Sequence, residues 1–263
     1  MSILESMNIL VCIKQVATTP DGNTFAMNRF DEYALEEAVR IKEQLLNQGR
    51  KAVVDVVSLG REKAQEIIKR AFGIGADNGF HIVVERDLSA AVTAELIYRT
   101  LGQNLDKSQE LPPKPPAYDL VLTGMISQDA MEGQTGPILA ELMGIACSTG
   151  IVKISLDSKT FDLTVERELD RGDRESLGIT LPVLLTVQAG INTPRYPTLS
   201  NLLKAGTKKI TTVTVFPDKI PGADQTVLRF MEPAKSRSGT IIRGTTAEKA
   251  VELFSILKKR GVL

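Results

Sequence analysis

The chain has 263 residues, 43% of them hydrophobic and 24% charged, and its 32 Lys and Arg cancel its 32 Asp and Glu. This composition excludes intrinsic disorder, which goes with few apolar residues and a large net charge, and it lacks the basic field that would collect nucleic acid, so no nucleic-acid partner is expected. No run approaches the roughly 18 consecutive apolar residues of a membrane span. The segment Met1 to Met7 carries Glu5 and no basic flank, unlike a secretory signal. Two cysteines, Cys12 and Cys147, are too few for a disulfide framework and lack metal-type spacing. With His81 as the sole histidine, a Ser-His-Asp triad would have to use it, and a His-rich metal site is not expected. The expectation is a cytoplasmic α/β protein whose chemistry comes from neither metal, histidine nor thiol.

Taken in chain order, Asn8 to Lys14 is a continuous apolar run, the pattern of a parallel strand buried on both faces. Asn28 is placed to cap a helix in which Leu35, Ala38, Val39, Leu45 and Leu46 form the apolar face, leaving Glu36, Glu37, Arg40 and Lys42 to solvent. Ala52 to Ser58 reads as a second strand. Ala64, Ile67, Ile68, Ala71 and Phe72 then recur at helical spacing, stopped by Gly73 and Gly75. His81 to Val84 is a third strand, Ser89 to Leu101 a third helix, Leu111 to Pro116 a stiff surface connection, and Tyr118 to Thr123 a fourth strand. This alternation predicts a mostly parallel sheet with helices on both faces, an α/β fold of the Rossmann-like kind.

Beyond that point the rhythm changes. Ile151 to Leu156 and Phe161 to Glu168 flank Asp157-Ser158-Lys159 in a hairpin pattern, and Leu181 to Val187 is another buried strand. From Gly206 the alternation is lost. Pro217, Pro221, Gly222 and Pro233 suggest an extended arm, ending in an amphipathic helix with Ala247, Ala250, Val251, Phe254 and Leu257 on one face. The division expected is a domain over 1–205 and an arm with its helix over 206–263.

Ligands of open parallel sheets bind beyond the carboxyl ends of the strands, so the loops after Lys14, Ser58 and Thr123 are the candidate site. The third, Gly124 to Pro137, is rich in glycine and small polar residues, with Pro137 fitted to a helix's first turn. It suits two readings: a phosphate cradle built from the amides of Gly133 to Gly136 and the Thr135 hydroxyl, or a solvated loop with a capping threonine. It is neither G-x-G-x-x-G nor a P-loop. Cys12 reads as a small core residue and His81 as a satisfied strand residue. Lys204, Lys208 and Lys209 read as a solvated basic face, and the mixed-charge run Glu166 to Glu175 as hairpin and turn. Leu199, Leu202 and Leu203 have helical spacing, which suits core packing or an exposed docking anchor.

Several segments together resemble the beta subunit of electron-transfer flavoproteins. Ile9 to Val16 looks like that family's opening strand, and Met27 to Ala38 is similar to its N-P-x-x-x-x-A-x-E-E-A segment, with Arg29 in place of proline. Ala71 to Gly79 matches A-x-x-x-G-A-D-x-G, and Gly124 to Gly136 resembles the nucleotide loop. Most specific are V-E-R-E-L-D at Val165 to Asp170 and N-x-P-R-Y-x-T-L-x-N at Asn192 to Asn201. The resemblance runs from about Asn8 to Gly261.

The resemblance implies a heterodimer whose alpha subunit holds most of the redox FAD. The pair would carry electrons from flavin dehydrogenases such as acyl-CoA dehydrogenases to an acceptor, a membrane quinone oxidoreductase among the candidates. This subunit would catalyse no bond chemistry and would bind AMP structurally, through Cys12, Asn28, Arg29, Phe30, Asp31, Leu59, Gly124, Met125, Ile126, Ser127, Gln128, Asp129, Gly133, Gln134 and Thr135. Gly133 stands where Asn is often found. Leu199 occupies the place of the docking-loop leucine, with Lys204 a nearby basic residue, and the C-terminal arm would pack on the alpha subunit. A bifurcating subset instead carries a second FAD and an NADH site, with A-I-D-G-D-T in the loop, Val at the Thr135 position and a longer first connection. Here Ser127 to Glu132 differs, Thr135 is kept and Ala17 to Met27 is short, which points to AMP. A stand-alone ATP-using α/β enzyme is the more distant alternative; no P-loop lysine and no S-G-G loop after the first strand support it.

Overall fold

The computed structural model describes residues 6–19, 24–102, 118–157, 160–215 and 239–262. Its main sheet has nine strands in the order β11-β5-β4-β1-β6-β10-β7-β8-β9. These are β1 (Ser6–Cys12), β4 (Lys51–Gly60), β5 (Asn78–Val83), β6 (Leu120–Gly124), β7 (Ala146–Leu156), β8 (Leu163–Glu168), β9 (Arg174–Ile179), β10 (Val183–Val187) and β11 (Thr211–Thr214). A separate antiparallel pair, β2 (Gln15–Ala17) and β3 (Phe25–Met27), lies between β1 and α1 (Arg29–Asn47). The other helices are α2 (Gln65–Ile74), α3 (Ala90–Leu101), α4 (Thr135–Met143), α5 (Leu199–Ala205) and α6 (Thr246–Lys259). No described helix is long and apolar enough to cross a membrane.

The unbroken apolar runs are explained by two cores, one on each face of the sheet. In β1, Ile9 and Val11 enter the core shared with Leu35 of α1 and Ile68 of α2, while Leu10 and Cys12 enter the one shared with Leu96 of α3 and Leu139 of α4. β6 and β10 divide likewise: Leu122 and Leu185 join the first core, Val121 and Leu184 the second. Both faces of a parallel strand are covered, so its residues are mostly apolar, with a few buried polar positions such as Ser58, His81, Thr123 and Thr186.

Two expectations are corrected. Helix α2 runs through Gly73 and stops at Gly75, whose φ of 144° only glycine takes readily. Past residue 205, Thr211–Thr214 pairs in parallel with β5 and extends the sheet; the compact units are Met1–Gln225 and Thr226–Leu263. A four-residue edge strand needs one partner and shows too little pattern to be read locally. The first hairpin is formed by β7 and β8, but its second strand begins at Leu163 because Phe161 turns at φ 60° and buries its ring. Ser158 and Lys159, the connection at 111–116 and the prolines at 217, 221 and 233 lie outside the described residues.

The C-terminal helix α6 opens on a capping box in which the Thr245 hydroxyl accepts from Glu248 N–H and the Glu248 carboxylate accepts from Thr245 N–H. Within it Val251 and Phe254 are exposed.

Candidate functional site

β1 sits at the centre of the sheet, with β4 on one side and β6 on the other. Helices α1 and α2 cover one face and α3 and α4 the opposite face, so the connections leaving β1 and β6 go to opposite faces, the place at the carboxyl ends of the strands where open parallel sheets take ligands. Cys12 ends β1 beside Thr123 of β6 and Val57 of β4, and Leu59 lies near the end of β4. Both thus lie at the carboxyl ends of their strands.

Asp31, in the first turn of α1, is the knot of this site. Its buried carboxylate accepts from Lys14 N–H at 2.7 Å, Asn28 Nδ2 at 3.0 Å and Gly124 N–H at 3.1 Å, tying three chain segments together. Gly124 is required by this approach: a Cβ there would lie 2.3 Å from Asp31 Oδ1 and 2.7 Å from Phe30 Cβ. Burial pushes the Asp31 carboxyl up to about 7, against the pull of those three donors. The same burial, with Asp31 beside it, drives the Cys12 thiol far above its usual range, so Cys12 is inert core.

Asn28 departs from its expected role. It precedes α1, but its side chain makes no capping bond. Instead Nδ2 donates to Ile126 O at 2.9 Å and Oδ1 accepts from Gln128 N–H at 3.1 Å, while Gln128 Oε1 takes the N–H of Arg29 at 3.0 Å. The loop after β6 therefore supplies the acceptor for α1, and the asparagine anchors the loop. Asn28, Arg29, Asp31, Gly124, Ile126 and Gln128 form one hydrogen-bonded cluster, with Phe30 packed on it.

The rest of the loop is braced internally. Met125 N–H donates to Val187 O, Ser127 N–H to Glu132 O and Met131 N–H to Ser127 O. Lys14 Nζ meets Asp129 Oδ1 at 2.8 Å. Burial works to raise the Asp129 carboxyl, but Lys14 and the Ala130 N–H outweigh it and hold the group below its usual value. The part of Lys14 is legible only in three dimensions, since 115 positions separate it from Asp129.

Gly133 and Gly136 bring the start of α4 onto the strand ends. A Cβ at Gly133 would lie 2.7 Å from Met125 O, and one at Gly136 2.8 Å from Thr123 Oγ1 and 3.0 Å from Thr186 Cγ2. Asparagine at position 133 would therefore require this loop to move. Thr135 is the first residue of α4 and does not cap it; no side-chain cap is made at Gln134. The capping-threonine reading is thereby overturned. Among the described residues the N–H groups of Gly133, Gln134, Thr135 and Gly136 have no hydrogen-bond acceptor. Free N–H donors at a helix N-terminus are what an anionic oxygen cluster needs.

The predicted docking residues belong to another element. Leu199 and Leu203 on α5 are 73% and 69% exposed, and Leu202 is 40% exposed. The core reading of that triplet is thus corrected: only Ala205 of α5 is buried. Lys204 is exposed, but Lys208 donates to Ala76 O and lies over the Phe72 ring, so the basic cluster is not uniformly solvated.

Glu36 and Glu37, expected in solvent, are buried. Arg195 Nε and Nη2 each meet the Glu36 carboxylate at 2.9 Å, and Nη2 meets Glu43 Oε2 at 2.9 Å. Asn192 Nδ2 bridges Tyr33 O and Glu37 Oε2. Periodicity alone missed this cluster. The available signal was the joint presence of the E-E pair and the N-x-P-R motif.

The mixed-charge run is the β8–β9 hairpin, laced by the Arg167–Glu175 pair at 2.6 Å and tied to β7 by the Lys153–Glu166 pair at 2.6 Å. His81 is fully buried, with Nε2 3.2 Å from Gly60 O and Nδ1 lacking a hydrogen bond, and burial lowers its pKa. It is a neutral strand residue, only half satisfied.

Comparison with known proteins agrees with this architecture. The model of the electron transfer flavoprotein domain matches residues 18–218. Electron transfer flavoprotein subunit beta of Bacillus subtilis is 32% identical, covering 97% of this chain and 99% of its own length. The subunit of the same name from Thermoanaerobacterium thermosaccharolyticum is 31% identical over 98% and 100%, and that of Homo sapiens 33% over 79% and 81%. With its fold, its motifs and these matches in place, the chain belongs to the electron transfer flavoprotein family, as a beta subunit.

Proposed function

We propose that this chain carries AMP, not a second FAD, in the crevice between β1 and β6, and serves a non-bifurcating electron carrier of the cytoplasm. The observation that carries the reading is the set of free amides at Gly133, Gln134, Thr135 and Gly136. These and the Thr135 hydroxyl would hold the phosphate, where the α4 dipole favours negative charge. Cys12 and Leu59 would supply apolar contact near the adenosine, and the Asn28–Asp31 cluster with Met125 to Asp129 would form the wall. AMP supplies no reactivity there; it fills and stiffens the crevice. The chain's two cysteines are both free thiols, as suits a reducing compartment.

In this reading the redox chemistry is supplied by FAD, held mainly by an alpha subunit that binds this chain and its C-terminal arm. Leu199, exposed on α5 with Lys204 in the last turn, would enter a pocket on a flavin dehydrogenase of the acyl-CoA dehydrogenase kind. The collected electrons would leave to an acceptor such as a membrane quinone oxidoreductase. Extraction of cofactors from the purified heterodimer tests the reading: one AMP and one FAD are expected. Two FAD would transfer the chain to the bifurcating subtype, and ATP turnover by the isolated chain would make it an enzyme in its own right.

A further inference from the structure

The segment that leads from β10 to the docking residues is anchored at two points. On α1, the Arg195 fork joins the buried Glu36 and the exposed Glu43, its own N–H also reaches Glu36 Oε2 at 3.1 Å, and Asn192 ties to Tyr33 and Glu37. On α2, Gly73 lets the segment approach so closely that a Cβ would lie 3.0 Å from Pro197 Cβ and 3.1 Å from Leu202 Cδ2. Thr198 then accepts from Asn201 N–H and starts α5. Leu199 follows at once, and its own side chain, 73% exposed, has little packing to hold it.

A side chain that must fit a partner's pocket loses affinity when its backbone has to be ordered at the encounter. Gathering two carboxylates around one guanidinium costs desolvation that apolar residues would avoid, and geometric specificity is the best-attested return on such a cost. Arginine suits the task because its planar fork meets two carboxylates in fixed directions.

We propose that Arg195 is a positioning residue for partner docking: its fork holds the backbone that presents Leu199, and so governs how tightly a dehydrogenase binds. The proposal rests on the docking reading above. It is tested in the complete heterodimer, with FAD content checked, by following FAD reduction by a flavin dehydrogenase. Arg195→Ala should raise KM for the flavoprotein at least about tenfold while kcat changes less than about twofold. Arg195→Lys should fall between, since an ammonium cannot grip both carboxylates. In a double-mutant cycle, adding Arg195→Ala to Leu199→Ala should raise KM no further, because the effect passes through Leu199. An unchanged KM in Arg195→Ala, or effects that multiply independently in the cycle, would overturn the positioning role while leaving Leu199 as anchor. An unchanged KM in Leu199→Ala would remove the docking reading itself. Should Arg195→Ala fail to assemble, Glu43→Gln replaces it in the same cycle, with a KM rise of about threefold and the same non-additivity expected.

Discussion

Asp31 and Gly124 show how closely single residues are specified at the crevice. Because burial raises the folded carboxyl of Asp31 from 3.8 to about 7, the native state holds one more proton than the unfolded chain between those values. The sign follows by linkage: the contribution of Asp31 to stability is fully present below about pH 4, declines as pH rises, and levels off above about pH 7. Carboxyl-carbon NMR of the labelled chain should give Asp31 a midpoint near 7, and a midpoint near 4 would mean that the three N–H donors win over burial. Gly124→Ala puts a methyl group onto Asp31 Oδ1 and should cost about 2–3 kcal/mol in urea unfolding, with loss of the proposed AMP. Wild-type stability in that variant would show that the knot relaxes freely. Neither residue's role is visible as a local pattern. Gly124 was legible only as one glycine in a loop, and Asp31 only through a family motif.

Among the elements, α1 has the most to do. Its first turn secures the loop after β6 through Asn28 and Asp31, and its middle secures the 192–195 segment through Glu36, Glu37 and Glu43. Its apolar stripe was readable at helical spacing except for Leu46, which is exposed, and two of the residues assigned to solvent, Glu36 and Glu37, are buried beneath the 192–195 segment. Arg195→Ala would leave the Glu36 carboxylate buried without its cation, a loss of about 3–5 kcal/mol for a fully buried pair. Because the arginine side chain is 36% exposed, solvent screening reduces this to about 2 kcal/mol, with Arg195→Lys near half of it. A urea midpoint unmoved by Arg195→Ala would show the clamp to be energetically idle. Helix α4 teaches the converse lesson. Pro137 marked its first turn correctly, yet whether Thr135 capped it or left the amides free depended on how near Gly136 brings the helix to Thr123 and Thr186.

For the whole molecule, the sheet with a core on each face sets α1 and α4 against the carboxyl ends of β1 and β6. The second unit carries α6 with Val251 and Phe254 exposed. A single helix of 14 residues is marginal in water without a partner for its apolar face. If that partner is the alpha subunit, amide exchange across Thr246–Lys259 should slow at least about tenfold when the heterodimer forms, and unaltered exchange would place the contact elsewhere. By itself the sequence determined the strands of the parallel core, the helices that cover them, the crevice loop and the family. The strands and helices follow from which of their faces is buried, which a period of 2 or 3.6 residues records locally; the loop was legible from its glycines and the family from its motifs. Only the tertiary structure decided the partners of the polar residues, because a hydrogen bond between positions 100 apart, as in Asn28 and Gln128, or 159 apart, as in Glu36 and Arg195, leaves no periodic trace. The edge strand β11 and the free amides of α4 were settled in the same way, by proximity that the fold alone creates.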